Sequence, residues 1–208
     1  MPRVKLDITL NLEELISLEN VIQHEASGLI KPGPVFNRNP DRPVKVLNLV
    51  RNKFTGVSAH LNFRLGTGGG RRHLLATFSR SGEPQLLGRA AQWGPGGPTK
   101  PFTPDRPGHK GVTAYIYEGA IGNEIVEMLG SARVDVDHIF AAMVAHEIGH
   151  NLGLEHEYSP AGLMFAYEDA GSMERRTWLQ SASAGRLEFR PWQLEKIRLQ
   201  ALWRLRRR

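Results

Sequence analysis

Residues 146–156 read His-Glu-Ile-Gly-His-Asn-Leu-Gly-Leu-Glu-His, and this run restricts the fold more than any other part of the chain. Side chains four apart on a helix share a face, one turn above each other. The run lies at the end of a helical pattern that starts near Val136, with Ile139, Phe140, Met143 and Val144 apolar and alanines between them. His146 and His150 therefore point the same way. Asp135 or Asp137 can cap the start of this helix. Gly153 stops it, because glycine takes left-handed backbone angles at helix C-termini without a steric penalty. A sharp turn there swings Leu154, Glu155 and His156 back toward the histidine face. The fold must supply a helix, a reversal at its end, and room for three imidazoles at one point.

Such a trio carries a chemistry. Neutral imidazole nitrogen is a favoured zinc ligand, and a catalytic zinc has three protein ligands with a fourth position open. One helical face cannot fill a tetrahedron, so the third ligand must come from beyond the turn, where His156 stands. Glu147 is one residue, about 100° of helix, from His146. Its carboxylate can reach a water at the open position without displacing a histidine. The competing reading is a helix whose histidines are solvated or satisfied in the core, and a lone histidine would favour it. Five fixed positions do not. In a chain with 8 His and 22 Gly among 208 residues, they arise by chance on the order of once in ten thousand. His24, His60, His73, His109 and His138 are scattered singly and read as surface or structural residues.

The segment resembles the extended zinc signature of the metzincin metallopeptidases. Ser159-Pro160-Ala161-Gly162-Leu163-Met164 follows it, and the Gly-Leu-Met-Phe wording is most similar to matrixins. Glu157, directly after the third histidine, is a feature more similar to astacins, so the subfamily stays open. The resemblance covers roughly residues 136–167. It implies an α+β, zincin-like fold in one metallopeptidase catalytic domain spanning residues 1–208. A twisted mixed sheet with helices would form an upper lobe over about 1–153, and about 154–208 would form a small, mostly irregular or helical lower lobe. The implied activity is that of a zinc-dependent endopeptidase with one catalytic Zn2+. His146, His150 and His156 would be its ligands and Glu147 the general base and acid. Gly153 and Met164 would be structural at the site, with Met164 in a methionine turn beneath the metal. Phe165 and Tyr167 are candidate pocket residues, Tyr167 more as packing than as a transition-state stabiliser. The family binds an extended peptide along an edge strand, for which 73–78 and 111–118 are the two candidates.

Elsewhere the pattern is looser. Strands are expected at 4–10, 44–54, 60–65, 73–78 and 111–118. An amphipathic helix is expected over 10–30, carried by Leu12, Leu15, Ile16, Leu18, Val21 and Ile22, and ended by Gly28 and the Lys-Pro-Gly-Pro stretch. A closing helix is expected over 189–208, with Trp192, Leu194, Ile197, Leu199, Leu202 and Leu205 packing, and irregular chain between Gly153 and about 188. The glycine clusters at 66–72 and 93–111 lack the Lys-Ser/Thr of a phosphate loop.

The chain has no cysteine, which excludes disulfides, thiolate metal sites and thiol catalysis. The first residues carry charges and no apolar core of signal-peptide length, and no run is apolar enough to span a membrane. The expectation is a cytoplasmic protein or one exported without a cleaved signal, acting on a peptide or protein, with its oligomeric state left open. No acidic cluster argues for structural calcium. Much of the net charge of +6 sits at Arg204, Arg206, Arg207 and Arg208, which reads as a solvated helix end favoured by the helix dipole. Two rivals stand beside the peptidase. One is a zinc-binding pseudo-peptidase serving as a protein-binding module, which would have no need of Glu147. The other is a basic nucleic-acid-binding protein, for which no recognition motif is present.

Overall fold

The structure, a computed structural model, describes residues 5–12, 40–66, 73–79, 87–90, 93–94, 97–98, 112–130 and 134–206. In chain order these form β1 (Leu6–Asn11), α1 (Arg42–Lys53), a 3-10 turn at Thr55–Val57, β2 (Leu61–Leu65), β3 (His73–Ser79), β4 (Gly88–Ala90), β5 (Trp93–Gly94), β6 (Gly97–Pro98), β7 (Val112–Tyr117), α2 (Glu118–Leu129), α3 (Val136–Asn151), α4 (Ser172–Ser183) and α5 (Pro191–Arg206). The main sheet has the order β2-β1-β3-β7-β4. Its first four strands are parallel, with Leu6 opposite Leu61, Asp7 opposite His73 and Leu74 opposite Val112. β4 alone is antiparallel, placing Gly88 opposite Ile116. β5 and β6 pair separately. Mixed sheet and helices together are consistent with an α+β zincin-like fold.

α3 is the hub. Every residue from Ile139 to Leu152 is buried; its stretch from Ile139 to Ala145 is apolar on all sides, and its last turns bury His146, Glu147, His150 and Asn151. It packs against α1, α4 and the sheet strands β3, β4 and β7. Its start is held by charge. The Asp135 carboxylate accepts hydrogen bonds from the backbone N–H groups of Asp137 and His138, as an N-cap does. Asp137, in the first turn, meets the Arg42 guanidinium at 2.7 Å and the Lys45 ammonium at 2.7 Å. Both cations come from α1, so the first turn of α3 is fastened to that helix.

Several expectations are corrected. Residues 44–54 form a helix, not a strand. The Val and Leu residues there suit either structure, but Val46, Leu47, Val50 and Phe54 are buried while Val44 is exposed. That spacing is a helical face, and Pro43 sits in the first turn, where its missing N–H costs nothing. The stretch between Gly153 and 188 is not wholly irregular. It contains α4, whose Glu174 carboxylate accepts from the Gly171 N–H at 3.0 Å and whose Trp178, Leu179 and Ala182 are buried. α2, which follows β7 without a loop, was not expected at all. Neither 73–79 nor 112–117 is an edge strand. Both are interior, and the edge beside β7 is β4. On α5 the fully buried stripe is Gln193, Ile197 and Ala201, spaced by four; Leu194 and Leu205 pack partly buried against the core as expected, while Trp192 and Leu199 are 58% and 53% exposed. The strands expected at 4–10 and 60–65 correspond to β1 and β2. The helix expected over 10–30 falls outside the described residues, apart from its first positions.

The arginine tail also differs from a simple solvated end. Arg204 donates to the carbonyl oxygen of Asn151, the last residue of α3. Burial pulls its guanidinium down to about 10. One cation of the tail thus serves the C-terminal carbonyls of α3, where positive charge is favoured. Among the described residues no helix is long and apolar enough to cross a membrane.

Candidate metal centre

The turn after α3 is built by backbone geometry. Gly153 has φ +84°, which side-chain-bearing residues rarely adopt. Its N–H donates to the His150 carbonyl at 2.9 Å, and the Leu154 N–H donates to the Gly149 carbonyl at 3.0 Å. These are the two bonds of a Schellman reversal. The Leu154 carbonyl then faces Nδ1 of His150 at 2.9 Å. The reversal that brings His156 back is therefore tied to the ring of the preceding histidine.

Three imidazoles meet where the chain turns. Nε2 of His150 lies 3.0 Å from Nε2 of His146 and 3.0 Å from Nε2 of His156, and the remaining pair is 3.3 Å apart. Among the described residues this is the one group of three or more His, Cys, Asp or Glu able to hold a metal ion. His138 is not part of it and lies 4.0 Å from Asp135 at the start of α3.

The donor set fits zinc on chemical grounds. Nδ1 of His146 faces the Leu163 carbonyl at 2.9 Å, as Nδ1 of His150 faces that of Leu154. A carbonyl only accepts, so each of these Nδ1 atoms carries the proton and each Nε2 presents a lone pair. Lone pairs converging at about 3 Å repel unless a cation sits among them. Zinc–nitrogen bonds of about 2.0–2.1 Å in a tetrahedron put the nitrogens about 3.3–3.4 Å apart, close to the spacing found. Burial, then the neighbouring imidazoles, holds His146 well below the usual histidine range. His150 is pulled down to about 4, chiefly by burial. Both are neutral at pH 7, the form that ligates metal.

Glu147 points elsewhere on the helix and is 4% exposed. Its Oε2 is buried and has no hydrogen-bond partner among the described residues. The carboxylate lies against Gly88 of β4, so closely that a Cβ on that residue would overlap it. Burial pushes its pKa well above the usual carboxylate range, and the charge of Glu168 pushes the same way. A cation in the histidine cluster would oppose both.

The chain from Leu163 to Tyr167 borders this cluster through the Leu163 carbonyl at His146. The Glu157 N–H donates to the Met164 carbonyl at 2.7 Å and the Ala166 N–H to the Glu157 carbonyl at 2.9 Å. Met164 is fully buried. A Cβ added at Gly149 would come within 2.7 Å of its sulfur and 3.2 Å of Phe189. Gly149→Ala is therefore expected to destabilise the metal-free protein by about 1–3 kcal/mol, the usual cost of overpacking. Denaturant unfolding checks it, and an unchanged midpoint would mean that Met164 does not press on this turn of α3.

Phe165 and Tyr167 are 3% and 4% exposed, which leaves them little surface to offer a substrate. The Tyr167 hydroxyl donates to Glu124 of α2 at 2.8 Å, and its ring stacks edge-on against Trp178. Arg175 of α4 reaches the other oxygen of Glu124 at 3.1 Å. This buried network, which joins α2, α4 and the chain after Met164, was not foreseen, because nothing in local sequence pairs Glu124 with residues more than forty positions away.

Residues 102–184 match the family model described as Metallo-peptidase family M12B Reprolysin-like. That is a metzincin-type zinc peptidase family. No curated protein matches the chain. The match and the three-histidine group together support a zinc-dependent peptidase in general terms. The finer likeness to matrixins rests only on the spacing of Met164 from His156 and on the Gly-Leu-Met-Phe wording.

Proposed function

We propose that the chain is a zinc-dependent endopeptidase in which Glu147 is the general base and acid. The observation that carries the reading is the convergence of three histidine Nε2 atoms beside a buried carboxylate, one oxygen of which has no hydrogen-bond partner among the described residues. His146, His150 and His156 would hold the metal. Zinc bound there supplies Lewis acidity, which acidifies water and polarises a carbonyl. Glu147 takes the proton released from water and delivers it to the departing amine. Its burial suits this, since a carboxylate whose ionised form is disfavoured is the stronger base. Tyr167, engaged with Glu124, serves as packing, and Met164 forms an apolar floor as in the methionine turn of metzincins.

β4 is the strand we assign to the substrate. Among the described residues it pairs with β7 alone and passes beside Glu147 through Gly88. An extended peptide adding to its outer side would use main-chain hydrogen bonds for affinity and would bring a scissile bond to the carboxylate. The substrate class is a peptide or protein.

Metal analysis and activity on one preparation test the reading. Protein purified without added metal is expected to contain one zinc per chain and to cleave casein or members of a peptide library. Phenanthroline should abolish cleavage, and zinc should restore it. A zinc content near zero that reconstitution does not raise would sink the proposal.

A further inference from the structure

The three histidines are not oriented alike. Nδ1 of His146 and of His150 each face a backbone carbonyl at 2.9 Å. Among the described residues no backbone carbonyl stands at Nδ1 of His156, which faces the Glu168 carboxylate at 3.6 Å. The two carbonyls belong to Leu154 and Leu163, both fully buried, and are fixed by the fold. Glu168 is a side chain, roughly half exposed, on a different turn. It is also the one that brings a full negative charge.

We propose that Glu168 is the positioning residue of the metal centre, holding the His156 ring with Nδ1 protonated and Nε2 aimed at its two partners. This rests on the zinc-site reading above. A carboxylate behind an imidazole fixes its tautomer and raises its basicity as a ligand. Its charge also lowers the energy of a cation a few ångströms beyond the ring. His156 has particular need of such support. His146 and His150 stand on a helix buried on all sides, whereas His156 stands on the outer limb of a turn with its side chain 30% exposed. Loss of Glu168 would leave that ring free to rotate and its tautomer unspecified.

The test uses the full chain with Glu168→Ala, Glu168→Gln and His156→Ala, and measures zinc affinity by competition with a chromogenic chelator. Glu168→Ala is expected to weaken zinc binding about 10–100-fold, the range for outer-shell partners of ligating histidines. Glu168→Gln keeps an acceptor for Nδ1–H and should recover part of the loss. Thermal unfolding of the metal-free proteins, expected to coincide with wild type for this half-exposed side chain, shows that the fold is unchanged. Wild-type affinity in Glu168→Ala overturns the proposal, and so does a glutamine variant no better than alanine. A loss as complete as that of His156→Ala overturns it too, since Glu168 would then be a ligand itself. If His156→Ala keeps wild-type affinity, the three-histidine reading fails first, and that result is distinct from a failure confined to Glu168.

Discussion

Glu147→Ala should fold, retain its zinc and lose at least about two orders of magnitude in peptide cleavage, within the usual 10²–10⁴-fold of a general acid–base group. The fold should survive because the side chain makes no hydrogen bond among the described residues through Oε2 and because alanine is the best helix former. Removal also relieves an energetic cost, that of keeping a carboxylate ionised where burial and Glu168 disfavour the charge. Zinc should stay because Glu147 stands off the face shared by His146 and His150. The measurement is paired, with zinc content and turnover taken on one preparation beside wild type. Equal turnover with zinc bound would refute the mechanism and leave the metal site standing. If neither protein cleaves any member of a broad peptide library, the pseudo-peptidase reading gains. The carboxylate argues against that outcome, since a buried acid with an oxygen unpartnered among the described residues has a structural cost and zinc binding does not require it.

The three-histidine group, which could hold a metal, was legible in sequence because chemistry sets its spacing. Two imidazoles one turn apart, a glycine that must turn left-handed and a third imidazole three residues later leave one arrangement, and the structure has it. A cap at Asp135 or Asp137 was legible for similar local reasons, and Asp135 provides it; so were the strands at 73–78 and 111–118, though not their interior place in the sheet. What escaped was non-local or too short to make a pattern. β4 has three residues, and its meaning lies in Gly88 touching Glu147 some sixty positions later. α1 carries Val and Leu in an order that fits strand or helix, and only the buried face decides between them. α4 has three buried apolar residues in twelve, so its periodicity is faint. The carbonyls of Leu154 and Leu163 that orient two rings are backbone groups, which no residue type announces. Arg204 read as tail charge because its acceptor, the Asn151 carbonyl, lies about fifty residues earlier. Local periodicity sees a helix face or a turn; it does not see which distant group completes it.

His156→Ala is expected to lose far more zinc affinity than the roughly 10–100-fold carried by an outer-shell partner. It removes one of three protein donors, and the remaining two lie on one helical face. The reversal that carries His156 does not depend on its side chain. Gly153 sets the turn, and backbone bonds from Gly153 and Leu154 to α3 hold it. Leu154 and Leu163 on either side are fully buried. The metal-free variant should therefore unfold close to metal-free wild type, while wild type alone gains stability when zinc is added, since a ligand that binds the native state shifts unfolding by mass action. Thermal unfolding with and without zinc reads both effects in one experiment. A variant that gains as much from zinc as wild type would mean that His156 is not a ligand. The site would then be two histidines and a carboxylate. Glu174 is a poor substitute because its carboxylate is engaged by the Gly171 N–H. Glu168, 3.6 Å from the His156 ring, would be the first to replace, ahead of the exposed Asp169. The present geometry favours His156, because its Nε2 already stands 3.0 and 3.3 Å from the other two, close to the spacing of three nitrogens around one tetrahedral zinc ion.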